Sequence, residues 1–195
     1  MSMSKLIFAS ANQNKVREVE AKLGGSLPLL GLTDINCFEE LPETTGTIPG
    51  NAEQKATYVF ENYGCNCFAD DTGLEIDALD GEPGVDSADY AKAGRNAEAN
   101  MNLVLQKLSG IENRSARFRT SICLFWEGQK HVFEGVVDGV IIASPQGDGG
   151  FGYDPIFKPN GFDITFAEMD MNTKNSISHR AKAIGLLKAF MDSAQ

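Results

Sequence analysis

Short apolar segments alternate with amphipathic segments along the first part of the chain. The segment from Lys5 to Ala9 is mostly apolar and predicts a buried strand. Val16, Val19 and Leu23 then recur at helical spacing, which predicts an amphipathic helix that ends at Gly24-Gly25. The chain therefore begins with a strand followed by a helix, an order typical of α/β proteins.

The same alternation of apolar strands and amphipathic helices continues to residue 108. The predicted elements are a strand from Leu27 to Leu32, a helix from Asn51 to Tyr63, a short strand at Cys67-Phe68-Ala69 that ends at Asp70-Asp71-Thr72-Gly73, and a helix with Met101, Val104, Leu105 and Leu108 on its apolar face. The pattern up to this point is β-α-β-α-β-α.

The second half of the chain is rich in residues that favour strands. Ala116 to Glu127 and His131 to Ala143 alternate in polarity, and Glu127 to Lys130 fits a hairpin turn between them. A last helix is predicted from Ser176 to Met191, with the stripe Ile177, Ala181, Ile184, Leu187 and Met191. The whole order predicts an α/β fold in which helices flank a mixed β-sheet, formed by residues 1–195 as one domain.

Composition excludes several classes of protein. The chain has 195 residues with 42% hydrophobic and 23% charged residues, which are ordinary globular values. The net charge of 17 − 27 = −10 argues against broad binding to nucleic-acid backbones, although cations gathered in one cleft can still bind a small phosphorylated molecule. The sequence has neither a transmembrane segment nor a good signal peptide, so we expect a cytoplasmic protein that does not associate with membranes.

Cysteine usage favours reduced thiols over a metal site. Cys37, Cys65, Cys67 and Cys123 form no paired CxxC pattern, and the two histidines lie far apart in the chain. A closed zinc site needs four ligands, which this arrangement does not supply. We expect the four thiols to pack as small apolar groups.

The first motif with chemical potential joins the first strand to the first helix. A helix start presents free N–H groups and the positive end of the helix dipole, which suits phosphate, and a lysine one turn in adds a point charge. An alternative is a plain helix cap that needs no ligand. The motif is Ser10-Ala11-Asn12-Gln13-Asn14-Lys15.

The second motif is a pair of adjacent carboxylates, Asp70 and Asp71. Neighbouring residues at a strand end point to opposite sides, so one carboxylate can hold a divalent cation while the other polarises water. The alternative is a turn built from Asp, Thr and Gly. Glu43 is a candidate Mg²⁺ ligand and Lys55 a candidate phosphate-binding cation, with a loop carboxylate and a solvated lysine as their alternatives.

Two later motifs suit a purine base. In the glycine-rich segment that begins at Gly149, Phe151 can stack on a base and Asp154 can accept hydrogen bonds. Near the last helix, Lys174 and Arg180 flank His179, which favours an anion or a purine carbonyl as ligand. The alternatives are a glycine-rich turn with aromatic core residues and a structural histidine.

Taken together, five ordered blocks resemble the inosine triphosphatase family, whose members are pyrophosphatases acting on deaminated purine nucleoside triphosphates. The resemblance extends from Phe8 to Leu187. The matching blocks are Ser10 to Glu18, Glu43-Thr44 with Asn51 to Ala56, Asp70 to Gly84, Phe151 to Phe157, and Ser178-His179-Arg180.

The resemblance implies a role for each matching residue. Asp71 would be the general base and would touch Mg²⁺, with Glu43 and Asp70 as further metal ligands. The triphosphate would be bound by Ser10, Ala11, Asn12, Gln13, Asn14, Lys15 and Lys55, and the nucleotide pocket would be lined by Thr72, Phe151, Gly152, Tyr153, Asp154, Lys174, His179 and Arg180. The family also implies a homodimer and an elongated sheet in two lobes around a deep nucleotide cleft.

Three residues depart from the family pattern. Thr72 stands where serine is usual, Thr45 where glycine is common, and Asp89 where arginine is frequent. The change at residue 89 reverses a charge.

The expected activity is Mg²⁺-dependent hydrolysis of ITP, dITP or XTP between the α- and β-phosphates, which cleanses the nucleotide pool. One alternative is a septum-associated type of pyrophosphatase acting on dTTP, UTP or modified nucleotides, but its family lacks the blocks at 151–157 and 178–180. Another alternative is a non-catalytic nucleotide-binding protein, against which the intact Asp70, Asp71, Lys15 and Lys55 argue.

Overall fold

The computed structural model describes residues 5–23 and 29–194. The strands are β1 (Leu6–Phe8), β2 (Leu29–Leu30), β3 (Cys67–Ile76), β4 (Ser115–Trp126), β5 (Gln129–Ile141) and β6 (Phe157–Pro159). The α-helices are α1 (Gln13–Leu23), α2 (Ile48–Tyr63), α3 (Ala97–Lys107), α4 (Met171–Ile177) and α5 (His179–Ser193).

The strands form one mixed sheet in the order β2-β1-β3-β4-β5-β6. β1 is parallel to both β2 and β3, with Leu6 opposite Leu29 and Ile7 opposite Cys67, while β5 and β6 are antiparallel. The predicted mixed sheet flanked by helices is therefore confirmed. The predicted hairpin is confirmed as well, because Glu127 and Gly128 both have positive φ and form a two-residue turn between β4 and β5.

The chain divides into two compact units. The first contains residues up to 71, residues 120–135 and residues from 180 onward, and the second contains residues 72–119 and 136–179. β3, β4 and β5 each contribute residues to both units. The predicted nucleotide cleft stays a prediction.

In the first unit, β1 is buried on both of its faces. Leu6 and Phe8 pack in one apolar cluster with α1 and α5, while Ile7 and Ala9 pack in another with α2. This split follows from the strand period of two, and burial on both faces is why the segment is an uninterrupted apolar run. The ring of Phe8 stacks on that of Phe68 on β3, with centroids 4.7 Å apart.

In the second unit, one apolar cluster joins β3, α3, β4 and β6. Leu74 and Ile76 of β3 pack there with Val104 of α3. Aromatic rings fill much of the remaining space, and Phe118 contacts Phe157 edge-on at 4.7 Å between centroids.

The predicted end of the third strand is wrong. The predicted strand contains Cys67 to Ala69, but β3 continues for seven more residues, to Ile76, and carries both carboxylates in its interior. Asp70 and Asp71 are buried. Neighbouring cations make this burial possible, and the acidic pair lies within a strand and not in a turn.

The predicted single helix from Ser176 to Met191 is also wrong. Ser178 has extended backbone angles, φ −62° and ψ 154°, and separates α4 from α5. Ile177 consequently packs against the core of the second unit, whereas Ile184 and Leu187 of α5 lie in the core of the first. The spacing of the apolar residues alone does not show that Ile177 packs in a different core from Ile184 and Leu187.

The second predicted strand is shorter than expected. β2 contains only Leu29 and Leu30 of the described residues and is followed by a 3-10 helix at Leu32–Ile35. The predicted helix stop at Gly24-Gly25 and the start of this strand at Leu27 lie outside the described residues.

All four cysteines carry free thiols, as expected. Burial raises the pKa of Cys67 well above its usual range and that of Cys123 to about 11. Such thiols are poor nucleophiles at neutral pH. Among the described residues, none of the helices combines the length and the apolar character needed to cross a bilayer.

The close approach of β5 and β6 predicts a stability effect at Gly139. A Cβ atom at this position would collide with the backbone of Lys158 and lie 2.6 Å from the ring of Phe157. We expect Gly139→Ala to lower the free energy of unfolding by about 1–3 kcal/mol, measured by urea denaturation. Gly185→Ala on α5 is the control, because a Cβ there meets nothing within 4 Å; it should raise stability by about 0.5–1 kcal/mol. Equal stability of the two variants would contradict this packing.

Candidate active site

The loop after β1 caps the first helix. The side-chain Oδ1 of Asn12 accepts hydrogen bonds from the backbone N–H groups of Asn14 (3.0 Å) and Lys15 (3.3 Å), and Ser10 Oγ accepts one from the N–H of Asn12 (3.2 Å). The capping alternative therefore describes what the Asn12 side chain does. Ala11 and Gln13 are exposed in the same turn. Phosphate binding by this segment stays a prediction.

Asp70 lies between two cations. Lys15 Nζ is 3.1 Å from Asp70 Oδ1, and Arg180 Nε is 3.3 Å from Asp70 Oδ2. Arg180 also pairs with Glu18 of α1, and these residues are buried. Lys15 and Asp70 both belong to the site that the family resemblance implies, and the structure brings these two residues into contact.

These neighbours determine the protonation of Asp70. Burial by itself would raise the pKa of Asp70, but Lys15 and Arg180 hold it well below its usual range. Burial lowers the pKa of Lys15, against the attraction of Asp70. Asp70 is therefore ionised at neutral pH and pairs with two cations.

Asp71 points to the other side of β3 and has a different environment. Its Oδ2 accepts a hydrogen bond from Asn51 Nδ2 at 3.3 Å, and its Oδ1 is 3.9 Å from Lys55 Nζ. Burial raises the pKa of Asp71, Lys55 opposes this, and the negative charge of Glu43 adds to it. A carboxylate with a raised pKa is a better proton acceptor than an ordinary aspartate, which suits a general base.

Contacts of two neighbouring loop residues, Glu43 and Thr44, attach their loop to α2. Lys55 pairs with Glu43, while Thr44 and Gln54 exchange two hydrogen bonds of 2.8 and 2.9 Å. Residues 51, 54 and 55 share one face of the helix, which explains how they reach the same loop. Thr47 caps α2, because its Oγ1 accepts from the N–H of Gly50 at 3.1 Å.

In the second unit, Asp154 organises the glycine-rich segment. Its Oδ2 accepts hydrogen bonds from the backbone N–H of Phe151 at 2.7 Å and from Lys174 Nζ at 2.9 Å. The same ammonium lies 4.8 Å from the centroid of the Phe151 ring, and Asp154 and Lys174 are both buried. Gly150 has φ +70°, and any Cβ there would collide with the Asp154 carboxylate.

The remaining residues predicted for the nucleotide pocket differ in exposure. Tyr153 is buried and donates a hydrogen bond from its hydroxyl to the carbonyl of Ser87 at 2.9 Å, and burial raises its pKa. His179 is buried and stacks on Phe118 with centroids 4.6 Å apart. Thr72 and Gly152 are partly exposed. Contact of any of these residues with a nucleotide stays a prediction.

Each unit thus collects a subset of the predicted site residues. Glu43, Lys55, Asp70, Asp71, Lys15 and Arg180 are linked in the first unit, and Phe151, Asp154 and Lys174 in the second. Two further residues, Glu18 and Asn51, were not assigned roles from the sequence. Both fall within the blocks that resemble the family, and Glu18 is one helical turn beyond Lys15, so their positions in those blocks were the available signal.

The carboxylates of the first unit suit a magnesium ion that is shared with substrate. Within the described ranges, no group of three or more His, Cys, Asp or Glu side chains is arranged to hold a metal alone. Mg²⁺ commonly binds one or two carboxylates plus substrate phosphates, and Asp71 and Glu43, which both lie beside Lys55, are the carboxylates that would serve. Binding of Mg²⁺ by these two residues stays a prediction. Asp70 already binds two cations, and its role as a metal ligand stays a prediction.

Asp89, which reverses the charge of the family's frequent arginine, has a local structural role. Its Oδ1 accepts a hydrogen bond from the backbone N–H of Arg95 at 3.0 Å. This bond and those from the backbone of Ala93 and Gly94 lower the pKa of Asp89. The carboxylate therefore closes the turn at residues 89–95.

Comparison with known proteins finds relatives that agree with one another in family and in name. The model of the Ham1 family matches residues 6–190. The dITP/XTP pyrophosphatase of Flavobacterium johnsoniae is 54% identical over 92% of this chain and 94% of its own length, and that of Porphyromonas gingivalis is 50% identical over 97% and 98%. The solved Ham1 protein of Staphylococcus aureus superposes with a TM-score of 0.91 at 35% identity, covering 98% of this chain and 100% of that one. The resemblance stated from sequence motifs is confirmed.

The buried ion pairs predict a stability cost at Arg180. Replacing it with methionine leaves two buried carboxylates with one cation fewer, so Arg180→Met should lower the free energy of unfolding by about 3–5 kcal/mol in urea denaturation. The control is Lys188→Met on the same helix, where Lys188 forms an exposed pair with Asp192 at 2.9 Å; that change should stay within about 0.5 kcal/mol. A similarly small effect at Arg180 would argue against this network.

Proposed function

This chain belongs to the Ham1 family, and from that membership and its site we propose that it is a nucleoside-triphosphate pyrophosphatase that hydrolyses deaminated purine nucleotides. Substrates would be dITP, ITP and XTP, and products the monophosphate and pyrophosphate. The names of relatives at 48–54% identity support this proposal. The structural observation that carries it is the buried Asp71, whose pKa is raised and which lies beside the cation Lys55.

The cations of the first unit would bind the triphosphate. Lys15 and Lys55 are both largely buried, and each is already held by a carboxylate. Prior orientation means that little side-chain freedom is lost when phosphate oxygens arrive. Positive charge fixed at this place also stabilises the charge that grows on the departing pyrophosphate.

Asp71 would act as the general base. It accepts a proton from water as the water oxygen attacks the α-phosphorus, and the bond from that phosphorus to the oxygen bridging to the β-phosphate breaks. The electron pair leaves with pyrophosphate. Mg²⁺, held by Asp71 and Glu43 together with the phosphates, would supply neutralisation of the phosphate charge.

Lys174 is the residue best suited to select the base. Its buried ammonium is oriented by Asp154, at 2.9 Å from Oδ2. On nucleotide binding this ammonium would donate to the 6-oxo group of hypoxanthine or xanthine, whereas the 6-amino group of adenine would face it as a second donor. Phe151, beneath the same ammonium, would stack on the purine ring.

Three further expectations complete the proposal. We expect a homodimer, a cytoplasmic location and a role in clearing deaminated nucleotides from the nucleotide pool. Gel filtration with light scattering tests the first of these.

The proposed activity is tested with a panel of substrates. The protein is incubated with Mg²⁺ and dITP, ITP, XTP, GTP, dATP or dTTP, and the phosphate products are resolved. Pyrophosphate from dITP, ITP and XTP supports the proposal. Preferential release from dTTP would indicate a septum-associated type of activity, and binding without turnover would indicate a nucleotide-binding protein.

Asp71→Asn should abolish catalysis while the fold survives. The amide keeps the size of the side chain but cannot accept the proton, so pyrophosphate release from dITP should fall by at least about 10²-fold. Circular dichroism and the melting temperature check that the variant is folded. Turnover near that of the wild type would remove Asp71 from the role of base.

Lys174→Met should reduce discrimination between bases. The ratio of kcat/KM for dITP to that for dATP should fall by about 10²-fold, since the donor to the 6-oxo group is lost. Because both kcat/KM values are measured on the same preparation, their ratio does not depend on the fraction of the enzyme that is folded. If the ratio is unchanged, Lys174 does not read the base.

A further inference from the structure

A chain of hydrogen bonds reaches the carboxylate of Asp71 from the loop before α2. Two donors of Thr45 face Asn51 Oδ1, its backbone N–H at 3.1 Å and its hydroxyl at 2.9 Å. The hydroxyl also lies 3.2 Å from the carbonyl oxygen of Thr47, which is the longer of its two contacts as a donor. Asn51 Nδ2 then donates to Asp71 Oδ2 at 3.3 Å. Asn51 is buried, while Thr45 lies on the exposed loop.

The orientation of the Asn51 amide follows from its partners. A backbone N–H can only donate, so the atom facing Thr45 must be the amide oxygen. The amide nitrogen then necessarily faces Asp71, whose carboxylate can only accept when it is ionised. If the amide were flipped, its NH₂ group would face the backbone N–H of Thr45, which is also a donor. Its oxygen would then face Asp71 Oδ2, which is also an acceptor. Thr45 thereby determines which group Asn51 presents to the carboxylate.

The space for this arrangement depends on Gly50. A Cβ at Gly50 would collide with the hydroxyl of Thr45 and lie 2.5 Å from that of Thr47. The first turn of α2 can therefore accommodate the Thr45 hydroxyl only because residue 50 lacks a side chain. This packing holds Thr45 against Asn51 independently of Asp71.

We propose that Asn51 and Thr45 are positioning residues for the general base, an inference that rests on the proposed function. Asn51 fixes Oδ2 and with it the plane of the Asp71 carboxylate. Oδ1 is thereby turned toward Lys55, the cation 3.9 Å away that also pairs with Glu43. A base held in one orientation avoids the loss of rate that follows when a reacting group is displaced by about 1 Å.

The test compares single and double variants with dITP as substrate and Mg²⁺ present. Asn51→Ala should lower kcat by about 10–100-fold and change KM less than about twofold, because only the orientation of the base is lost. Thr45→Val should lower kcat by about three- to tenfold, since the backbone donor remains, and Thr45→Ser should restore most of it by restoring the hydroxyl. The double variant Thr45→Val/Asn51→Ala should have the kcat of Asn51→Ala alone, because Thr45 acts through Asn51.

Controls separate positioning from folding. Thr57→Val makes the same substitution on α2 at a residue that contributes none of these contacts, and its kcat should equal that of the wild type. Melting temperatures are measured for every variant. If Asn51→Ala does not fold, the Thr45→Val and Thr45→Ser pair still decides the question, because Thr45 lies on the exposed loop.

The outcomes distinguish this inference from the function on which it rests. Unchanged kcat in Asn51→Ala or Thr45→Val, while Asp71→Asn is inactive, overturns the positioning role and leaves the proposed function intact. Multiplicative losses in the double variant also overturn it, because the two residues would then act separately. Absence of pyrophosphate release by the wild-type protein overturns the proposed function and the inference together.

Discussion

The charge of Asp70, buried in the interior of β3, is the constraint on which the first unit depends. An isolated carboxylate at such a position would be protonated or would unfold the strand. Two cations, Lys15 and Arg180, neutralise it, and Glu18 balances the second of them, so two buried positive charges meet two negative ones. Because removing any one partner leaves an uncompensated charge, α1 and α5 must dock in the register that brings these side chains to β3.

The strand period explains how two adjacent aspartates acquire opposite properties. Asp70 and Asp71 point to opposite sides of β3 and so meet different neighbours. Two cations in direct contact keep the pKa of Asp70 low, whereas Asp71 has one cation 3.9 Å away, the added negative charge of Glu43 and a raised pKa. The first carboxylate holds the structure together, and the second has the basicity that its proposed role as general base requires.

The second unit also contains a buried ion pair. Lys174 and Asp154 are both buried and pair at 2.9 Å, and the ring of Phe151 lies beneath the ammonium. The carboxylate also accepts the backbone N–H of Phe151, so one anion orients both a donor and a stacking surface. Glycine at residue 150 is what allows the backbone to approach so closely.

The sequence by itself determined the fold class, the family and most candidate residues, since apolar periodicity and motif order are properties of the chain alone. The strand at Lys5 to Ala9 and a hairpin turn within Glu127 to Lys130 could be predicted in this way. Tertiary structure decided the continuation of β3 through its carboxylates, the break at Ser178 and the contact of Asn51 with Asp71. Each of these depends on partners far away in the chain, and local spacing does not record which charge or core a residue will meet once the chain has folded.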